Sequence, residues 1–134
     1  MSTLIIRVAS KYLVAIILLY SLFMFLRGHN FPGGGFIGGL AAAIAWSMYG
    51  IVYKKTGITR NKFEASTISA AGLLIMLLSG IISFGSKTIF KGVWFDIGPI
   101  KLGTPLLFDA GVYLVVFGAV VNIVNFFEEA FKWK

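Results

Sequence analysis

The chain has 134 residues, of which 58% are hydrophobic and only 13% charged, and its mean hydropathy is +0.91, so it lacks the polar residues needed to coat a soluble domain. Its net charge of +7 does not indicate nucleic acid, because the basic residues flank long apolar runs and form no patch; membrane topology accounts for them. With no cysteine, disulfides, thiolate metal sites and cysteine nucleophiles are excluded, and the composition describes an all-α membrane protein, a bundle of four transmembrane helices in one domain over residues 1–134.

The first predicted span covers about residues 8–26. Arg7 and Lys11 stand at its start, where long basic side chains reach back to the interface. Such an amino-terminal run could be a secretory leader, but no small-residue cleavage site follows it. Arg27, Gly28 and His29 follow instead, so it reads as a retained span.

Next comes the turn RGHNFPGGGFIGG, Arg27 to Gly39. Residues 33–38 satisfy the G-x-G-x-x-G pattern of dinucleotide sites, which also requires a preceding strand and an acid about 20 residues later. Here a membrane span precedes the glycines and Lys54 and Lys55 stand where the acid belongs, so the nucleotide reading fails. The turn suits helix packing. Pro32 has a preset φ and no N–H, which fits the first turn of a helix. Gly34 with Gly38, and Gly35 with Gly39, are small-xxx-small pairs continued by Ala42 and Ala43, a face that lets another backbone come close. The partner could be span one, span four or another protein; Phe36 beside the glycines suggests a wedge against a neighbouring subunit. His29, next to Arg27 and Asn30, is either part of a solvated loop or a group able to carry a proton near neutral pH.

The second span covers about 36–53. Trp46, Tyr49 and Tyr53 near its end suit an interfacial aromatic belt. The basic cluster Lys54, Lys55, Arg60 and Lys62 separates it from the third span, about 65–84. The loop from Gly85 to Pro105 contains VWFDIGPIKLG, whose β-branched and aromatic residues around Gly98-Pro99 fit a short surface β-hairpin or an irregular loop equally. The fourth span covers about 106–127. Asp109, placed near its start, has two open roles: capping through the helix dipole or relaying an ion. Asn122 and Asn125 are expected to hydrogen-bond to neighbouring helices, while Glu128 and Glu129 close the span at the interface. With the amino terminus inside, eight lysines and arginines face the cytoplasm (Arg7, Lys11, Lys54, Lys55, Arg60, Lys62, Lys132, Lys134) and four face out (Arg27, Lys87, Lys91, Lys101). Both termini are therefore expected to be cytoplasmic.

The central stretches of the spans carry no ionisable residue, whereas a chain that moved protons alone would show buried acids, lysines or histidines there. No Ser/His/Asp set or paired carboxylates suggests an enzyme. No catalytic residue, metal ligand set or cofactor site is expected, and the physics favours a helical subunit packed inside a larger membrane complex.

RGHNFPGGGFIGGL resembles the signature of the B subunit of the multisubunit Mrp-type (also called Mnh or Pha) sodium/proton antiporter. TPLLFDAGVYLVVFGAVVNIV, from Thr104 to Val124, is similar to the same family's last span. The resemblance implies a small partner among several different membrane subunits in a prokaryotic cell membrane, in a complex that exchanges sodium for protons. Its large subunits, related to the proton-pumping subunits of respiratory complex I, would carry most of the proton pathway. It also implies importance for a proline, a phenylalanine and a lysine, which map to Pro32, Phe36 and Lys55, with Lys54 an alternative to the last. His29, Lys55 and Asp109 are thus the candidates for handling an ion or proton. Pro32, Gly34, Gly35, Phe36, Gly38 and Gly39 are the packing motif. The runner-up readings are an equivalent subunit of a membrane-bound hydrogenase, whose redox chemistry would lie in other chains, and a scaffold with no residue in an ion path.

Overall fold

A computed structural model describes residues 2–28, 34–53, 62–84, 94–97 and 100–132. Four helices dominate: α1, Ser2–Arg27; α2, Gly34–Tyr53; α3, Lys62–Phe84; and α4, Thr104–Lys132. Each contains a stretch long and apolar enough to cross a membrane. Helix α1 starts six residues before the predicted span because helix formation is not confined to hydrocarbon. Arg7 and Lys11 are good helix formers, and a continuous helix keeps every backbone group paired as the chain leaves the apolar layer. Helix α4 likewise begins at Thr104, with Pro105 in the first turn, where its missing N–H costs nothing. Before α4, β1 (Trp94–Ile97) and β2 (Ile100–Gly103) pair antiparallel, with Trp94 opposite Gly103 and Ile97 opposite Ile100.

The helices alternate in direction, and contacts at their ends fix the order. Tyr53 at the end of α2 donates a hydrogen bond to the Arg7 carbonyl of α1 at 2.8 Å. The start of α2 meets Asp109 and Tyr113 of α4, so α2 and α4 run parallel. Ser79 near the end of α3 donates to the Thr104 carbonyl at 2.8 Å, and Asn122 of α4 meets Ser66 of α3. The spatial order is therefore α1, α2, α4, α3, with extensive contact between neighbours and only a narrow contact of α1 with α4. The bundle is an open row: α2 and α4 are the inner helices, α1 and α3 the flanks. Both described ends of the chain lie on the same side.

Side-chain size is distributed opposite to a soluble core. The residues buried on α2 are Gly34, Gly35, Gly38, Gly39, Ala42, Ala43, Ala45, Ser47 and Gly50. Large apolar side chains point outward: Leu19 is 69% exposed, Ile81 67% and Phe131 77%. Hydrocarbon solvates leucine as well as a protein interior does, so close backbone packing, not apolar burial, holds helices together in a membrane. A small apolar cluster of Ala43, Ala65 and Val121, covered by Trp46, Phe117 and Val120, ties α2, α3 and α4 together toward the α2 end marked by Tyr53.

Candidate functional site

The conspicuous site is the junction where the start of α2 meets α1 and α4. His29, Pro32 and Lys55, three of the predicted site residues, lie outside the described residues, as do Lys54 and Arg60. The remaining six can be placed.

Gly34 opens α2 with φ +49°, a left-handed conformation that side-chain-bearing residues rarely adopt. A methyl group on it would stand 3.1 Å from Asp109 Oδ2. One on Gly35 would run into the Asp109 carbonyl, and one on Gly39 would lie 2.6 Å from the Tyr113 carbonyl. The Gly38 position faces the Ser21 carbonyl at 3.0 Å and the Tyr113 ring at 3.1 Å, while Gly28 abuts Gly34 across the turn. Of the three partners left open by the sequence, the small-residue face therefore meets two at once, α4 through Gly35 and Gly39 and α1 through Gly38. Phe36 does not join it. Its side chain is 59% exposed on the outside of the row, so the glycines seal contacts inside the chain while Phe36 faces outward.

Three helices meet in one hydrogen-bonded cluster here. Ser21 of α1, fully buried, donates to the Gly38 carbonyl of α2 at 2.7 Å. Its single proton being used there, the Tyr113 hydroxyl of α4 at 2.9 Å is the donor to Ser21 Oγ. The Tyr113 ring packs edge-on against Phe25, with centroids 5.4 Å apart. The hydroxyl chain ends on a backbone carbonyl, so this cluster ties three helices together.

Asp109 lies one turn before Tyr113 on the same face of α4. It is the sixth residue of the helix, past the first turn, which contains no acid. Its carboxylate lies against Gly34, at the start of α2, and not in the first turn of its own helix. The first N–H groups of a helix lack intrahelical partners and carry a partial positive charge, so a carboxylate at that position is stabilised. Arg27, closing α1, places its guanidinium 6.0 Å from the Phe23 ring.

A second seam, between α3 and α4, escaped the sequence reading. Methyl groups at Gly72 and Gly111 would come within 2.7 Å of the Gly111 carbonyl and 2.8 Å of the Gly72 carbonyl, respectively. At Gly118 a methyl would collide with Ser69 Oγ and lie 2.6 Å from the Ala65 carbonyl. The signal was present as the seven-residue spacing of Gly111 and Gly118, one face of a helix. Asn122 donates to Ser66 of α3 at 3.2 Å, as a neighbouring-helix bond was expected to do. Asn125 behaves otherwise: it is 4% exposed, and neither amide atom has a hydrogen-bond partner. Among the described residues, no group of three or more His, Cys, Asp or Glu could hold a metal ion.

Residues 5–122 match the MnhB family, described as a domain related to the MnhB subunit of Na+/H+ antiporter. The chain is 37% identical over 129 residues to the Na(+)/H(+) antiporter B subunit of Bacillus subtilis strain 168, covering 91% of this chain and 90% of the relative. It is 34% identical over 125 residues to the protein of the same name from Alkalihalophilus pseudofirmus, covering 86% and 85%. Among solved structures it matches the Mrp complex from Dietzia sp. DQ12-45-1b, with a TM-score of 0.80, 29% identity and 92% of this chain covered. The chain spans only 14% of that much longer polypeptide.

Proposed function

The chain belongs to the MnhB family, and from that premise we propose that it is the B subunit of a multisubunit Na+/H+ antiporter of the prokaryotic cell membrane. It is a multi-pass, non-enzymatic subunit whose partners are the other subunits of the complex and the lipid bilayer. Na+ and H+ are the ions the complex carries. The observation that supports this most is a family match across nearly the whole chain to relatives named as antiporter subunits. The central stretches of the spans, free of ionisable residues, point the same way: they suit a supporting piece of an antiporter better than an antiporter by itself. Those relatives favour the antiporter over the hydrogenase reading.

In this reading both termini are cytoplasmic, following the eight-to-four distribution of basic residues. An impermeant label at position 58 should react only from the cytoplasmic side, and reaction from outside would reverse the topology. The junction of Ser21, Gly34, Gly35, Gly38, Gly39 and Tyr113 positions helices, and Asp109 anchors the start of α2. His29 and Lys55, flanking α2 on either side, are the remaining candidates for exchanging a proton or ion with neighbouring subunits. Affinity purification in mild detergent tests the whole reading. Co-purification of several other antiporter subunits is the expected outcome. Recovery with nickel–iron hydrogenase subunits would replace it with the runner-up, and recovery of the chain alone would overturn it.

A further inference from the structure

The hairpin of β1 and β2, between α3 and α4, is amphipathic by register. Successive residues of a strand alternate between its two faces, and directly paired residues share one. With Phe95 opposite Leu102 and Ile97 opposite Ile100, these four apolar residues fall on one face. Asp96 opposite Lys101 falls on the other with Trp94, and there the two charges offset each other. Two strands of four residues are marginally stable by themselves in water and need a surface against their apolar face. The helices of the chain do not supply it. Among the described residues, the strands contact one another and, where β2 runs into it, the start of α4, with no other helix in more than marginal contact.

Depth identifies the surface. Gly103 ends β2 and Thr104 opens α4 with no residue between them. The Thr104 carbonyl accepts the Ser79 hydroxyl at 2.8 Å, and the apolar stretch of α3 continues past Ser79 to Ile82. Because α3 and α4 run antiparallel, α3 stays apolar for about 4–5 Å beyond the level of Thr104, at 1.5 Å per residue. The hairpin therefore leaves the bundle at the edge of the apolar layer, the level that suits a tryptophan such as Trp94, opposite Gly103. Beside the junction the helix surface is of the same character: Ile81, Ile82, Leu107 and Phe108 are exposed, and none of these side chains offers a hydrogen bond.

We propose that the hairpin lies along the membrane surface, its face of Phe95, Ile97, Ile100 and Leu102 against lipid acyl chains and its Asp96–Lys101 pair toward headgroups and water. A segment with one apolar and one polar face settles at this boundary because both faces are then solvated. Acyl chains match the apolar face, which carries no hydroxyl, amide or charge by which a protein partner would be selected. Standing upright, a hairpin about 13 Å long would carry Ile97 and Ile100 past a headgroup layer roughly 5–7 Å thick and leave that pair in water.

The experiment places p-benzoylphenylalanine at Phe95, Asp96, Ile97 or Lys101, one position at a time, and irradiates membranes containing the whole complex. Phe95 and Ile97 should give adducts heavier by one phospholipid, at several-fold higher yield than Asp96 and Lys101. Adducts of Phe95 or Ile97 with another subunit would overturn the proposal. So would lipid adducts at Phe95 without them at Ile97, the mark of an upright hairpin, or equal yields at all four positions. As an independent measure, Phe95→Ser combined with Ile97→Ser should leave recovery of the intact complex at the parent's level. A loss of about tenfold, with the chain at its normal level in membranes, would put a protein on this face and end the lipid assignment. The functional reading stands or falls separately: if no other subunit accompanies the chain, that reading fails, while lipid adducts confined to Phe95 and Ile97 would still uphold this one.

Discussion

Alanine at Gly39 should loosen the chain although the substitution adds a single methyl group. That methyl would stand 2.6 Å from the Tyr113 carbonyl, whereas ordinary contact begins near 3.4 Å. Neither atom can swing aside, because the carbonyl belongs to the backbone of α4 and the new carbon to that of α2. The two helices must therefore part by the difference, about 0.8 Å. A gap of that size forfeits a quarter to a half of the dispersion attraction at each affected contact, and forced separation of a packed seam costs about 1–3 kcal/mol. In a membrane no hydrophobic drive pushes the helices back together. Replacing glycine by alanine also returns up to about 1 kcal/mol of helix propensity, so the comparison needs a helix glycine where only that gain acts. Gly80 of α3 provides it, since a methyl there meets nothing within 4 Å.

The two variants should separate by about 1–3 kcal/mol, with Gly80→Ala at or above the parent and Gly39→Ala below it. The assay is the temperature at which half of the detergent-solubilised protein loses its monodisperse gel-filtration peak. Equal midpoints for the two variants would refute the close approach of α2 and α4, and with it the positioning role of the glycine motif.

Other substitutions probe the remaining features. Ser21→Ala removes both bonds of the three-helix cluster and should destabilise by about 1–2 kcal/mol, whereas Tyr113→Phe breaks one, keeps the ring packing and should cost roughly 0.6 kcal/mol; the reverse order in the same heating assay would contradict the donor assignment. Asp109→Asn preserves shape but weakens the interaction with the start of α2, for an expected loss of about 0.3–1 kcal/mol. It should leave the sodium dependence of exchange unchanged; an altered sodium dependence would restore the relay role. Asn125→Leu deletes two buried, unpartnered polar atoms and should raise the midpoint by the equivalent of about 1–3 kcal/mol. A lower midpoint would show that an internal water bridges that amide.

The four helices were legible because hydrocarbon imposes length and apolarity on any segment that crosses it, and long uncharged runs record that demand directly. Partners were not legible. The repeats Gly34–Gly38 and Gly35–Gly39 declare that one face of α2 comes close to something. The spacing within α2 contains no information about α4, which follows 50 residues later. Ser21 and Tyr113 were missed for a related reason: one hydroxyl in an apolar run has no periodicity, and its role exists only once two other helices are placed against it. The position of Asp109 shows the same limit. Counting from a span start near residue 106 put it in the first turn of its own helix, with capping and ion relay both open, whereas the helix starts at Thr104 and the carboxylate lies against a different helix.

The open row also predicts where sensitivity to mutation divides. The closest contacts that hold α1, α2, α4 and α3 in sequence are made at glycine, alanine and serine positions between described helices of the chain itself. Substitutions at Gly35, Gly39, Gly111 or Gly118 should therefore harm the isolated subunit and the assembled complex alike. The flanking faces, by contrast, present residues such as Leu19 and Ile81 that gain little from one another inside the chain. Their surroundings are lipid or a neighbouring protein, so polar substitutions there should cost most where the neighbour is lipid and least where protein supplies a partner. A serine scan along α1 and α3, read as recovery of the complex, would separate the two kinds of surface. Uniform sensitivity along both helices would mean that neither flank is packed against another subunit.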